Sequence, residues 1–237
     1  MGQLLEIFCD FDGTITKADT VDLLLGELAD PEWQEVETRW ERGEIGSREC
    51  MGQQVALLRG GWTAIEKALE KADIDPTFVD FVSWCKDHAV NLNVVSDGID
   101  RTITHILKRE GIRVDSIIAN HLHESHGGSL SLTFPHGAQE VNCQSGVCKC
   151  KILNRCDSRR IKIFIGDGRS DFCCAPSADY LFAKSKLLKH CHDNNIACIP
   201  FGNFNDVKHM LEAMFFSARS QEPASSLREP VVAAASA

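Results

Sequence analysis

The stretch Ile7-Phe8-Cys9-Asp10-Phe11-Asp12-Gly13-Thr14-Ile15-Thr16 decides the reading of this chain. An apolar run ends in two aspartates and then turns at once through Gly13. Apolar strands exclude isolated charges, because burying an unpaired carboxylate is costly. Side chains two apart on a strand point the same way. Asp10 and Asp12 therefore project together at the carboxyl end of a first strand, where open α/β sheets bind ligands. Carboxylates this close repel unless a cation lies between them or one takes a proton.

Working outward, further apolar, β-rich runs occur at "LNVVSD", "IKIFIGD" and "ACIPF". Helical patterns separate them: Asp100 is expected to cap a helix carrying Ile103, Ile106 and Leu107, and Ser185 one carrying Leu187, Leu188 and Cys191. Strands alternating with helices predict a parallel sheet covered on both faces. Residues 17–88 contain no good strand. They read as short helices, with starts expected at Asp30-Pro31, at the capping box Thr63/Glu66 and at Asp75-Pro76. One βα crossover does not need so many helices. The expected organisation is an α/β core of residues 1–16 and 89–216, a helical cap insert over 17–88, and a disordered Ala/Ser/Pro-rich tail over 217–237. A β-hairpin is expected to turn at Gly127 and Gly128.

The third piece of chemistry is "IFIGDGRSD", a strand ending in Asp167 with Asp171 four residues on. If it neighbours the first strand, four carboxylates converge at one sheet edge, a donor set suited to a hard cation such as Mg²⁺. A carboxylate can also attack phosphorus, splitting hydrolysis into two steps, while a second carboxyl handles the protons. Ser96, at the end of "VVSD", adds a hydroxyl donor, and Lys149 or Lys151 adds a cation for phosphoryl oxygens.

The elements "DFDGT", the Ser of "VVSDG", the Lys of "CKCKIL" and "GDGRSD" stand in the order of the four motifs of the haloacid dehalogenase superfamily, which this chain resembles from about residue 5 to 215. The resemblance implies a Rossmann-like parallel-sheet core with an inserted helical C1 cap. It implies Asp10 as nucleophile and Asp12 as general acid/base, with Ser96 and Lys149 binding the phosphoryl group. Asp10, Asp12 and Asp167 would hold Mg²⁺, and Asp171 would lie near the metal or hold Lys149. Lys149 is chosen over Lys151 because "KCKIL" is similar to the family's Lys-x-x-Ile-Leu pattern. "DFDGTIT", "PEW", "RECMGQQVALL" and "PFGNFNDV" resemble the MtnX-type phosphatases of methionine salvage. Asp19, Arg48 and Gln54 are the candidate substrate contacts in the cap; phosphoserine phosphatases place a carboxylate at the first position and an arginine at the last. The resemblance implies a phosphomonoesterase for a small metabolite, best matched by 2-hydroxy-3-keto-5-methylthiopentenyl-1-phosphate, and the lack of a leader with reduced cysteines makes a cytoplasmic protein the expectation. Thiamine monophosphate, phosphoserine, a phosphomutase and a catalytically silent ligand-binding member are the alternatives.

Composition narrows the partners. The 237 residues are 43% hydrophobic and 25% charged, with a net charge of −9. An acidic chain without a basic run is a poor nucleic-acid or anionic-membrane binder. "MGQLLEIFCD" lacks a basic leader region, and no apolar run is long enough for a membrane span. The expected partner is a small phosphate ester, with neither nucleic acid nor membrane; no oligomeric state is assigned. The eleven cysteines are read as mostly reduced. Cys143, Cys148 and Cys150 with His136 offer zinc donors, but Cys-x₄-Cys-x-Cys is not a standard knuckle and no zinc is assigned.

Overall fold

A computed structural model describes residues 4–138 and 143–216; the proposed tail at 217–237 lies outside them. Seven strands form one sheet in the order β4-β3-β2-β1-β5-β6-β7. The strands are β1 (Leu4–Cys9), β2 (Asn91–Ile99), β3 (Ser116–Glu124), β4 (Leu130–Thr133), β5 (Arg160–Gly166), β6 (Tyr180–Ala183) and β7 (Ile199–Pro200). All neighbours are parallel except β3 and β4, which make the expected antiparallel hairpin. β1 lies between β2 and β5, with Cys9 opposite Ile165. The Asp10 amide extends that ladder by donating to the Ile165 carbonyl at 2.9 Å. The ends of β1 and β5 are therefore in register, which sets the first and fourth motifs side by side.

Alternation along the central strands feeds two cores. Leu5, Ile7 and Cys9 of β1, with Ile163 and Ile165 of β5, face one layer; Phe8 and Phe164 face the other. The first layer includes α5 (Thr77–Asp87), α6 (Asp100–Arg109) and α9 (Phe204–Leu211); the second includes α7 (Lys149–Asn154) and α8 (Ser185–Asp193). Between β1 and β2 also lie α1 (Thr20–Leu28), α2 (Trp33–Glu41), α3 (Ser47–Ala56) and α4 (Gly61–Leu69).

The range 17–88 expected for the cap holds α1 to α5, and the last of these helices packs on α9. α5 stacks Phe78 and Phe81 on Phe204 of α9, with ring centroids 4.7 and 5.2 Å apart, so it packs in the core layer. We take α1 to α4 as the cap. Several helix starts also differ. α2 begins at Trp33 because the Asp30 carboxylate is held by Arg59 at 2.7 Å. α4 begins at Gly61, not after Thr63, and remote Glu124 accepts the Trp62 amide. Asp100 is the first residue of α6 rather than its cap, and its carboxylate also accepts the Leu122 amide of β3. Ser185 makes no capping bond and opens α8 with a positive φ of 50°. Asp75 does accept the Thr77 amide and hydroxyl, anchoring the start of α5. β6 was not expected from the sequence, since a four-residue run gives too short a signal.

Phe204 is fully buried and touches Phe78, Phe81 and Phe201. Phe204→Ala should lower unfolding free energy by about 3–5 kcal/mol. Urea titration of both proteins checks this; a loss below about 1 kcal/mol would mean that this aromatic cluster does not anchor α5.

Candidate active site

Three loops meet at the carboxyl end of the sheet. The β1 loop turns through Gly13, whose φ is +72°. A side chain there would also collide, because a Cβ would stand 2.7 Å from Asp167 Oδ2. Glycine is thus needed both for the turn and for the close approach of the β1 and β5 loops.

Asp10 is 4% exposed and Lys149 is fully buried. The Lys149 ammonium contacts Asp10 Oδ1 at 2.8 Å and Asp171 Oδ1 at 2.6 Å, and donates to Ser170 Oγ at 3.1 Å. Asp10 Oδ1 also accepts the Phe11 amide at 2.8 Å. Both contacts fall on one oxygen and leave Oδ2 for reaction. Asp171 Oδ2 accepts the amides of Asp167 and Gly168, so both of its oxygens serve the protein. Asp167 Oδ1 accepts the Thr14 hydroxyl at 2.7 Å. Asp12 Oδ1 accepts both the amide and the hydroxyl of Thr20, at 2.9 and 2.6 Å. Ser96 is 1% exposed and its hydroxyl oxygen accepts the Gly98 amide, leaving the proton to donate.

The electrostatics follow from burial. Burial pushes the Asp10 carboxyl well up, Asp171 adds to this, and Lys149 opposes it. Burial alone would lower the Lys149 ammonium, but Asp10 and Asp171 hold it well above its ordinary value. Asp12 is pushed up to about 7, first by burial and then by Asp19, against the opposing Thr20 hydrogen bonds. Burial likewise raises Asp167.

Asp10, Asp167 and Asp171 each bring a carboxylate oxygen within 4.8 Å of the others. Three carboxylates gather around one buried ammonium, Lys149, so the cluster is short of positive charge. Oxygen donors with a charge deficit fit a hard divalent cation. Among the described residues, this is the one group of three metal-donor side chains drawn so close.

A cavity of about 690 Å³ opens over these groups. Its floor includes Asp10, Asp12, Ser96 and Asp167, and its far wall comes from the cap. Of the candidate cap contacts, Asp19 and Gln54 line it and Arg48 does not. The Asp19 side chain caps α1 by accepting the Val21 and Asp22 amides, and is pushed up to about 6 by burial and Asp22. Gln54 donates to Glu37 at 2.8 Å. Arg48 is turned away: its guanidinium donates to the carbonyls of Ala138 and Ser145 at 2.9 and 3.1 Å. It joins α3 to the segment before Lys149. Neither Lys149, which is fully buried behind Asp10, nor Lys151 is part of the cavity lining.

Several residues were not assigned from sequence. Thr14 and Thr20 orient Asp167 and Asp12. Asp97 accepts the Ser47 hydroxyl of α3 and the Val147 amide, both at 2.8 Å, joining the cap to the Lys149 segment. Trp40 of the cap lies under the Arg169 guanidinium, 5.2 Å from it. Most of these pairings join positions far apart in the chain, which no local pattern reports; Thr14, Asp97 and Arg169 stand inside recognised motifs, but their partners could not be read from them.

The sequence matches the haloacid dehalogenase-like hydrolase family over residues 7–176. The 2-hydroxy-3-keto-5-methylthiopentenyl-1-phosphate phosphatase of Brevibacillus brevis is 31% identical over 217 residues, covering 90% of this chain and 97% of the relative. The protein of the same name from Bacillus thuringiensis is 30% identical over 217 residues, covering 88% and 98%. Among solved structures, a substrate-bound phosphoserine phosphatase complex superposes with a TM-score of 0.68 at 19% identity, covering 89% of this chain and 99% of that one. A hydrolase of the same superfamily from Salmonella enterica serovar Typhi gives 0.71 at 16%, covering 92% and 72%. At these identities the structural likeness is one of fold.

The raised Asp12 carboxyl has a consequence for stability. At low pH it is protonated in folded and unfolded chains alike and costs nothing. Above the unfolded pKa the unfolded chain ionises first, so folding is increasingly penalised until pH passes about 7. With divalent metal removed, Asp12→Asn should therefore raise Tm at about pH 8 and leave it nearly unchanged at about pH 4. Thermal melts of both proteins across this range check the sign; a lower Tm for the variant at the higher pH would show that the ionised group is stabilised.

Proposed function

The chain belongs to the haloacid dehalogenase-like hydrolases, and on that premise we propose that it is a Mg²⁺-dependent phosphatase of 2-hydroxy-3-keto-5-methylthiopentenyl-1-phosphate. The observation that carries the chemistry is the pairing of Asp10 with Lys149 at 2.8 Å beside a second carboxyl, Asp12, pushed up to about 7. The substrate reading is supported by relatives of that name matched along nearly their whole length.

In this reading Asp10 Oδ2 attacks phosphorus and forms an aspartyl phosphate, while Asp12 gives its proton to the leaving oxygen. Asp12 then takes a proton from the water that attacks phosphorus, releasing phosphate and restoring Asp10. A group titrating near neutrality suits both directions of transfer. Lys149 holds two carboxylates, and its third donor rests on Ser170 Oγ at 3.1 Å, the contact that a phosphoryl oxygen can displace. Ser96 donates its hydroxyl proton to the same group. Asp10 and Asp167 would hold the metal, which when bound supplies charge that offsets the repulsion between carboxylate and phosphoryl oxygens. Asp171, with both oxygens engaged, orients Lys149.

One observation favours a second reading. The cap's contribution to the cavity includes Asp19, Asp22 and Glu37. These acids, set against Lys17, Arg169 and Lys186 elsewhere in the lining, favour an ester whose organic part is cationic, as in thiamine monophosphate. The cap itself brings no guanidinium toward a phosphoserine carboxylate, since Arg48 is engaged elsewhere and Gln54 is neutral; the guanidinium in the lining is Arg169, from the fourth motif and set over Trp40.

Phosphate release from purified protein, with and without Mg²⁺, tests these readings on a panel of the methylthiopentenyl ester, thiamine monophosphate, phosphoserine and an aryl phosphate. The expected result is Mg²⁺-dependent turnover, fastest on the methylthiopentenyl ester, reduced about 10³-fold or more by Asp10→Asn. Fastest turnover of thiamine monophosphate would replace the first substrate with the second. No release from any ester, or undiminished activity in Asp10→Asn, would overturn the proposed chemistry.

A further inference from the structure

The reacting groups occupy the floor of the cavity, and the organic part of the ester must find its contacts on the walls. Arg169 is one of the lining residues. It opens a short helical turn, Arg169–Asp171, which Asp171 pins by accepting the amides of Asp167 and Gly168. The next residue, Ser170, touches the Lys149 ammonium at 3.1 Å. Arg169 therefore stands one residue from the contact that a phosphoryl oxygen can displace. Among the described residues no carboxylate or carbonyl holds its guanidinium; the contact it makes is with the face of the Trp40 ring, 5.2 Å away in α2 of the cap. Stacking on an aromatic face fixes a guanidinium and leaves its N–H fork free. The neighbouring acids are committed differently: Glu37, one turn before Trp40, accepts from Gln54 at 2.8 Å, and Asp19 accepts two amides of α1.

We infer that Arg169, set by Trp40, is the residue that selects the organic part of the ester, its fork donating to two neighbouring oxygens beside the phosphorylated carbon. The methylthiopentenyl ester carries such a pair, the 2-hydroxyl and the 3-keto oxygens. A planar fork of N–H groups matches two adjacent oxygens, whereas a lysine offers only a point charge. Beyond that pair, the methylthio tail meets apolar lining from the cap, with Val21, Ile45 and Met51 among its residues.

A thiamine ester brings a fixed cation instead, which a guanidinium repels. The two substrate readings thus make opposite demands on one side chain. The inference rests on the phosphatase reading for the placement of the phosphoryl group on Ser96 and Lys149.

The test measures binding, so it does not require turnover. Calorimetric titration of the full chain as Asp10→Asn, with Mg²⁺, compares the methylthiopentenyl ester, thiamine monophosphate and phenyl phosphate, with and without a second substitution. Metal-free wild type replaces Asp10→Asn as the background if that variant does not fold. Arg169→Ala should weaken the methylthiopentenyl ester about tenfold or more relative to phenyl phosphate, and should not weaken thiamine monophosphate. Arg169→Lys should recover less than about a third of the lost affinity, because charge alone does not supply the fork. Trp40→Ala should move the same ratio in the same direction by about threefold. Equal weakening of the methylthiopentenyl ester and phenyl phosphate, full recovery by lysine, or no measurable affinity for the methylthiopentenyl ester would each overturn the inference. Absence of phosphate release by the wild type, with the affinities as expected, would overturn the phosphatase reading and leave Arg169 as the selecting residue of a binding site.

Discussion

The structure depends on one buried ammonium among three carboxylates. Lys149 is fully enclosed, and its charge is sustained by Asp10 at 2.8 Å and Asp171 at 2.6 Å. Separating such a pair by removing one partner typically costs about 3–5 kcal/mol, because the other charge is left buried and alone. The fold must therefore deliver three chain segments to one point with little error. The register of β1 on β5 fixes two of them. The third arrives at the start of α7, at the end of a long connection from the β3–β4 hairpin. Here packing supplies what the sheet does not: Leu153 of α7 is buried with Phe8 and Phe164 against the sheet.

The same connection is where the cap joins the core. Arg48 and Ser47 stand at the start of α3, and their partners are the carbonyls of Ala138 and Ser145 and the carboxylate of Asp97. Asp97 follows the phosphate-binding candidate Ser96 and also accepts the Val147 amide, two residues before Lys149. A shift of α3 thus acts on the second and third motifs together. Trp40 against Arg169 gives the cap a separate hold on the fourth motif. Cap position and site geometry are accordingly one mechanical problem, which suits a reaction that must exclude bulk water and then admit a single molecule of it.

What was legible in the sequence was what is local. β1, β2 and β5 are apolar runs; Asp10, Asp12 and Asp167 follow the ends of β1 and β5, and Ser96 stands within β2 where its register on β3 shifts. The helices were legible as faces but less so as boundaries. Asp30 was recruited by Arg59, and Glu124, some sixty residues away, accepts an amide at the start of α4; tertiary partners displaced the local caps. The direction of the Arg48 side chain was illegible for a related reason. An arginine on a cap helix carries no sign of which way its fork turns, and here three hydrogen bonds reach the carbonyls of Ala138 and Ser145. α5 had the periodicity of the other helices in this range, and Phe204 and Phe216, far along the chain, pack against it.

Thr14 and Thr20 show how this division of labour reaches the chemistry. The carboxylates are fixed in sequence by the strand that ends before them, but their orientation is not. A free Asp12 side chain can rotate between the cavity and the backbone of its own turn. The two donors of Thr20, one main-chain and one hydroxyl, both fall on Oδ1, so Oδ2 is the oxygen left to carry or accept a proton. Thr14 does the same for Asp167, occupying Oδ1 and leaving Oδ2 beside Gly13. In each case a threonine within eight residues of the β1 aspartates selects which carboxylate oxygen is engaged by the protein. The site thus separates two tasks: strand register sets where the carboxylates stand, and hydroxyl donors set which of their oxygens remain available.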